Sequence, residues 1–64
     1  MIIRTKVETR QGGMKTAYYK HMGSNGRAIL GSKTDAASFD PQVAATVLSH
    51  LKTIDARFAQ AELV

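Results

Sequence analysis

Met14-Lys15-Thr16-Ala17-Tyr18-Tyr19-Lys20-His21-Met22-Gly23-Ser24-Asn25-Gly26-Arg27-Ala28-Ile29-Leu30-Gly31-Ser32-Lys33 is the stretch whose reading decides the fold. Its centre holds an Asn25-Gly26 pair between two runs of β-favouring residues. Such a pair is the preferred type I′ hairpin turn, because both central residues accept positive φ. Two antiparallel strands follow, 14–22 and 27–33. On the second, Ala28, Leu30 and Ser32 share one face, and Arg27, Ile29, Gly31 and Lys33 share the other. The two charges turn the latter set outward. Strand 14–22 has two apolar faces to choose from. The reading we favour turns Tyr18 and Met22 inward and Lys15, Tyr19 and His21 outward, and a bulge would reverse it locally.

Towards the N-terminus, residues 2–9 alternate. Ile3, Thr5, Val7 and Thr9 fall on one side, and Ile2, Arg4, Lys6 and Glu8 on the other. Period two with β-branched residues predicts a half-buried strand. Gly12-Gly13 then marks a turn. Towards the C-terminus, Thr34 to Phe39 reads as a connection, with a helical turn started by Asp35. Asp40-Pro41 opens a helix, with Asp40 as cap and Pro41 at the first helical position, and Phe39 packs back near Ala44 as a hydrophobic staple. Val43, Val47, Leu48, Leu51, Ile54 and Phe58 recur at helical spacing.

The expected architecture is therefore α+β. One domain spans residues 1–64: a basic three-stranded antiparallel sheet at 1–34 with one long C-terminal amphipathic helix, 40–62, packed on one face. That helix would be about 33 Å long at about 1.5 Å per residue. A seven-residue strand spans only about 23 Å at about 3.3 Å per residue. The helix thus overhangs the sheet, and its last turns either fray or meet a second copy, through Ile54, Phe58, Ala61 and Leu63.

Composition points the same way. A chain of 64 residues buries only about 60% of its unfolded surface, so its core is marginal. With no cysteine and two histidines, His21 and His50, neither disulfides nor a typical zinc site supplies the deficit. A homodimer is the remaining staple. The opening Met1-Ile2-Ile3-Arg4-Thr5-Lys6 is neither a signal peptide nor a membrane span. A cytoplasmic protein of a bacterium or virus, complete as a short gene product, is expected.

The net charge of +4 hides an asymmetry. Residues 1–34 hold seven Lys and Arg against Glu8 alone, a net +6, and residues 35–64 hold Lys52 and Arg57 against four acids, a net −2. Such a split suggests that one half meets a polyanion. No nucleophile, base and orienting group fall in a recognisable pattern. Gly23-Ser24-Asn25-Gly26-Arg27 lacks the Gly-Lys-Ser/Thr of a phosphate loop. We therefore expect no enzyme activity, cofactor, metal or small-molecule substrate. Asp55 and Glu62, close to the helical stripe, are expected to pair with cations. The candidate contact face comprises Arg4, Lys6, Lys15, Tyr19, His21, Arg27 and Lys33. Its cations would neutralise phosphates, and Tyr19 and His21 would stack on unpaired bases. Nucleic acid is the favoured partner. The competing partner is an acidic protein surface, met by a small phage- or plasmid-type interaction or inhibitor protein.

The order strand, strand, Asn25-Gly26 turn, strand, capped helix resembles the three-stranded, helix-backed DNA-binding domains at the N-termini of tyrosine integrases and in AP2-type regulators. The resemblance covers most of the chain as topology and implies a sheet laid in the major groove. It carries over no particular residue. The unit Tyr19 to Ile54 is also similar to short bacterial proteins with a strand–Asn-Gly–strand–helix repeat.

Overall fold

The computed structural model describes residues 1–64. Its strands are β1 (Ile3–Glu8), β2 (Met14–Met22), β3 (Ala28–Gly31) and β4 (Glu62–Leu63), and its one α-helix, α1, runs Pro41–Ile54. Short 3-10 turns cover Lys33–Asp35 and Ala56–Phe58. The strands form one antiparallel sheet in the order β3-β2-β1-β4. The α+β class stands, but the sheet has four strands rather than three, and the helix is not the C-terminal element.

Both hairpins use one device. Thr9 N donates to Gly13 O at 2.8 Å and Gly12 N to Thr9 O at 3.1 Å; Gly23 N donates to Arg27 O at 2.7 Å and Gly26 N to Gly23 O at 3.1 Å. Gly12 and Gly26 have φ of 83° and 79°, and no other residue has a positive φ. Each loop is thus three residues long with a left-handed glycine last. The two-residue type I′ turn expected at Asn25-Gly26 is not formed, because Asn25 stays at negative φ. Its side chain instead accepts from Arg27 N at 3.1 Å.

Cross-strand partners share a face. Thr5 opposite Ala17, Tyr19 opposite Leu30, and Met22 opposite Ala28 make the side that faces α1. Arg4 opposite Tyr18 and Lys6 opposite Thr16 make the outer side. Lys20 is an extra residue between the Tyr19–Leu30 and His21–Ile29 pairs. This bulge is why Tyr19 and Met22, three apart, lie on one side. The expected facing of strand 14–22 is therefore reversed at Tyr18, Tyr19 and Lys15 and kept at His21 and Met22.

The core comprises Ile3, Tyr19, Ala28, Leu51, Phe58 and Ala61, with Leu30, Phe39, Val47 and Leu48 packed around it. Tyr19 stacks on Phe39 at 6.1 Å between ring centroids and meets Phe58 edge-on at 6.2 Å. Such pairs add about 0.5–1.5 kcal/mol beyond their buried area. The helix contributes Ala44, Val47, Leu48 and Leu51, a stripe narrower than the sequence implies, and leaves Val43 and Ile54 exposed. Asp40 holds the N-cap position and Pro41 follows it, but the Asp40 carboxylate makes no capping bond.

The helix stops eight residues short of the expected 40–62 span. Asp55 turns extended, and its carboxylate accepts from Arg57 N at 3.0 Å, which starts a new turn rather than continuing the old one. That turn delivers Phe58 to the core, fully buried. Ala61 is also buried, and Leu63 pairs with Ile3 in β4. A helix of 14 residues is about 21 Å long at about 1.5 Å per residue. It is shorter than the nine-residue β2, about 30 Å at about 3.3 Å per residue. The overhang that motivated a dimer through Ile54, Phe58, Ala61 and Leu63 does not exist. Phe58 and Ala61 are consumed in the chain's own core, and only Ile54 is exposed.

Candidate nucleic-acid interface

The seven residues expected on one basic face are distributed over five places. Arg4, Lys6 and His21 do lie on the outer side of the sheet. Tyr19 does not; it is 7% exposed, and burial pushes its phenol pKa up. Lys15 lies opposite Val7 on the other side, beyond the helix and exposed. Arg27 sits in the second hairpin, before β3 begins, and Lys33 in the 3-10 turn after β3 ends.

β4 changes the charge of the outer face. Glu62 lies opposite Arg4, and the Arg4 guanidinium donates to Glu62 Oε1 from both Nε, at 3.1 Å, and Nη2. The hydrogen bonds from Arg4 hold the Glu62 carboxyl below its ordinary range, and the same bonds raise the Arg4 pKa. Glu8 and Lys6 share this face. Arg4 and Lys6 against Glu8 and Glu62 leave the outward positions of β1 and β4 with no net charge. The split between a basic half and an acidic half along the sequence is not a split in space, because the C-terminal strand brings an acid into the sheet.

The unbalanced positive charge lies elsewhere. β3 reaches only Tyr18 of β2, and the β4 ladder reaches only Arg4 of β1. The paired residues 6–8 and 14–16, with the loop between them, therefore extend past both flanking strands as a two-stranded arm. Residues 10–16 are all exposed. The molecule is accordingly elongated, 36 × 23 × 20 Å. The arm carries Lys6, Arg10 and Lys15 against Glu8. At its root, a groove of about 490 Å³ is lined by Lys15, Thr16 and Tyr18 of β2 and by Gly31, Ser32 and Lys33. Arg10 was missed because it precedes a glycine pair and reads as turn; its place at the tip depends on the lengths of β3 and β4.

The other charged cluster is structural. Arg57 binds Asp55 through Nε at 3.1 Å and Nη2 at 2.6 Å, and Nη2 also donates to Ala28 O at 2.8 Å. Its carbonyl accepts from buried Thr5 Oγ1 at 2.6 Å. One residue thereby joins the helix exit to β3 and β1. His21 Nδ1 lies 3.0 Å from Met22 O and bonds no side chain. Nowhere do three His, Asp or Glu side chains converge, and no helix is long and apolar enough to cross a membrane. No protein-family model, curated protein or solved structure matches the chain.

Proposed function

We propose that this chain is a small non-enzymatic nucleic-acid-binding protein whose contact element is the β1–β2 arm rather than the sheet face. One observation supports this reading above the others: a basic hairpin stands clear of both neighbouring strands. A two-stranded ribbon is of a size that the DNA major groove admits. Lys6, Arg10 and Lys15 on the arm, with Lys33 at its root, supply phosphate contacts. Each neutralised phosphate releases counterions, so affinity falls with salt at a slope near −0.9 per contact on B-form DNA.

The test is a fluorescence-polarisation titration of the full chain against duplex DNA, single-stranded DNA and structured RNA over a range of salt. Binding with a slope of roughly −3 to −4 is expected if the four cations act as described. Arg10→Glu should weaken it about tenfold or more, whereas Arg4→Gln, at a neutralised position, should change it little. Absence of binding to all three ligands at low salt removes the proposal. The second reading, an interaction protein that meets an acidic protein surface, draws on the same arm and on the balanced charge of the sheet face. A stoichiometric protein partner that survives nuclease treatment in a pull-down would favour it.

A further inference from the structure

The phase of the β1–β2 ladder has a consequence at the root of the arm. In an antiparallel pair, alternate residues direct their N–H and C=O groups to one neighbour and the residues between direct theirs to the other. The Thr9 N to Gly13 O bond of 2.8 Å sets the phase. Lys15 and Ala17 therefore turn their backbone groups to β1, and Met14, Thr16 and Tyr18 turn theirs to the far side. Tyr19 gives an independent check. Its carbonyl should point towards β1, and there it accepts from Ala37 N at 3.0 Å, in the segment bonded through Phe39 N to Met1 O.

On the far side, Tyr18 is opposite Gly31 in β3. Thr16 and Met14 have no strand opposite them, because the chain leaves the sheet at Ser32 and turns through Lys33–Asp35. An open sheet edge is a template for another strand. Here it borders the groove of about 490 Å³, with Val7, Ala17 and Leu30 contributing apolar lining. Lys15 and Lys33 stand on its walls. Neither is paired: the ion pairs of the chain are Arg4–Glu62 and Arg57–Asp55. No Asp or Glu is among its lining residues, and the Asp35 carboxylate beside it accepts from Ser32 Oγ at 3.1 Å.

We propose that the open edge of β2 at Met14–Ala17 is a strand-addition site for an extended acidic segment of another protein. Backbone bonds to Met14 and Thr16 would hold the segment, and its carboxylates would meet Lys15 and Lys33. The charge selects this occupant. A second copy adding its own β2 edge would bring two lysine-lined walls together, and like charges across a strand pair are destabilising. A DNA backbone carries no donor for the Thr16 carbonyl, and neither nucleic acid offers the alternating N–H and C=O row that an open strand edge pairs with. The site goes beyond the nucleic-acid reading and does not require the arm's tip.

The experiment is an NMR titration of the ¹⁵N-labelled full chain with a blocked peptide of alternating Glu and Thr. Its Lys-Thr counterpart serves as the control. The Glu-Thr peptide should shift the amides of residues 14–18 and 31–33 and slow hydrogen exchange at Thr16 at least several-fold. The Lys-Thr peptide should do neither. The double variant Lys15→Glu, Lys33→Glu should weaken peptide binding tenfold or more; because both lysines also belong to the proposed phosphate contacts, the separation rests on Arg10→Glu, which should weaken nucleic-acid binding and leave peptide binding unchanged. Thr16→Pro removes the free N–H but none of the bonds to β1. It should abolish peptide binding with the tyrosine circular dichroism of the fold intact. Should that variant fail to fold, the lysine double variant decides. Equal binding of both peptides, or shifts confined to other residues, would overturn the proposal. So would Thr16 protection that grows with protein concentration alone, or protection produced by DNA and not by peptide.

Discussion

Thr5 is the one polar residue among the nine buried ones, and its hydroxyl donates to Arg57 O at 2.6 Å. Thr5→Val keeps the shape and leaves that carbonyl without its donor. The expected cost is about 1–3 kcal/mol, the desolvation penalty of an unpaired buried group, read as a lower midpoint in urea. Asp55 gives the pH dependence. The hydrogen bonds from Arg57 lower its pKa, so its contribution is fully present above the unfolded carboxylate pKa and fades as pH falls through the lower, folded value. Stability should therefore decline below about pH 4. Asp55→Asn should be less stable at neutral pH and should show a flatter decline in acid, checked by urea titrations across that range. The alternation of Ile3 and Thr5 was legible because period two speaks for itself. Tyr18 and Tyr19 were not, because a single extra residue, Lys20, decides which tyrosine is inside, and nothing in its chemistry announces a bulge.

At the scale of elements, the two hairpins rest on glycine at Gly12 and Gly26 rather than on Asn-Gly as a pair. A Cβ at Gly26 would meet nothing within 4 Å, so substitution there measures the backbone conformation alone. Gly26→Ala should cost about 1–2 kcal/mol, the usual left-handed penalty for a residue with a Cβ, and Gly26→Asn should cost less. Calorimetric or chemical denaturation of the two variants checks the order. The helix start was legible in Asp40-Pro41. Its end was not, since Phe58 follows Leu51 by seven residues and so continues the helical pattern through a different backbone path. β4 left no signal of its own: two residues are too few for a period, and Glu62 is a poor strand former. Its existence is a tertiary fact, set by the open side of β1 at Ile3 and Arg4.

For the molecule as a whole, short flanking strands do more than charge totals to define the candidate site. The seven-residue basic face expected from the sequence assumed three strands of equal length and a sheet without acids. The fold supplies neither, so Arg4, Tyr19, His21 and Arg27 leave the set and Arg10 joins it. The same fold removes the apolar overhang, and light scattering at high protein concentration should report a 7.0 kDa monomer; a 14 kDa species would mean that a surface other than Phe58 and Ala61 joins two copies. One further consequence follows from the pairing of Ile2 with Val64, which exchange backbone bonds of 2.9 Å in both directions. The strand that seals the core beside Ile3 is made of the last residues of the 64, and Phe58 and Ala61 just before it fill that core. Without these residues neither the β1–β2 hairpin nor the helix has a closed interior, so removal of residues 58–64 should abolish protease resistance along the whole chain rather than only near the cut.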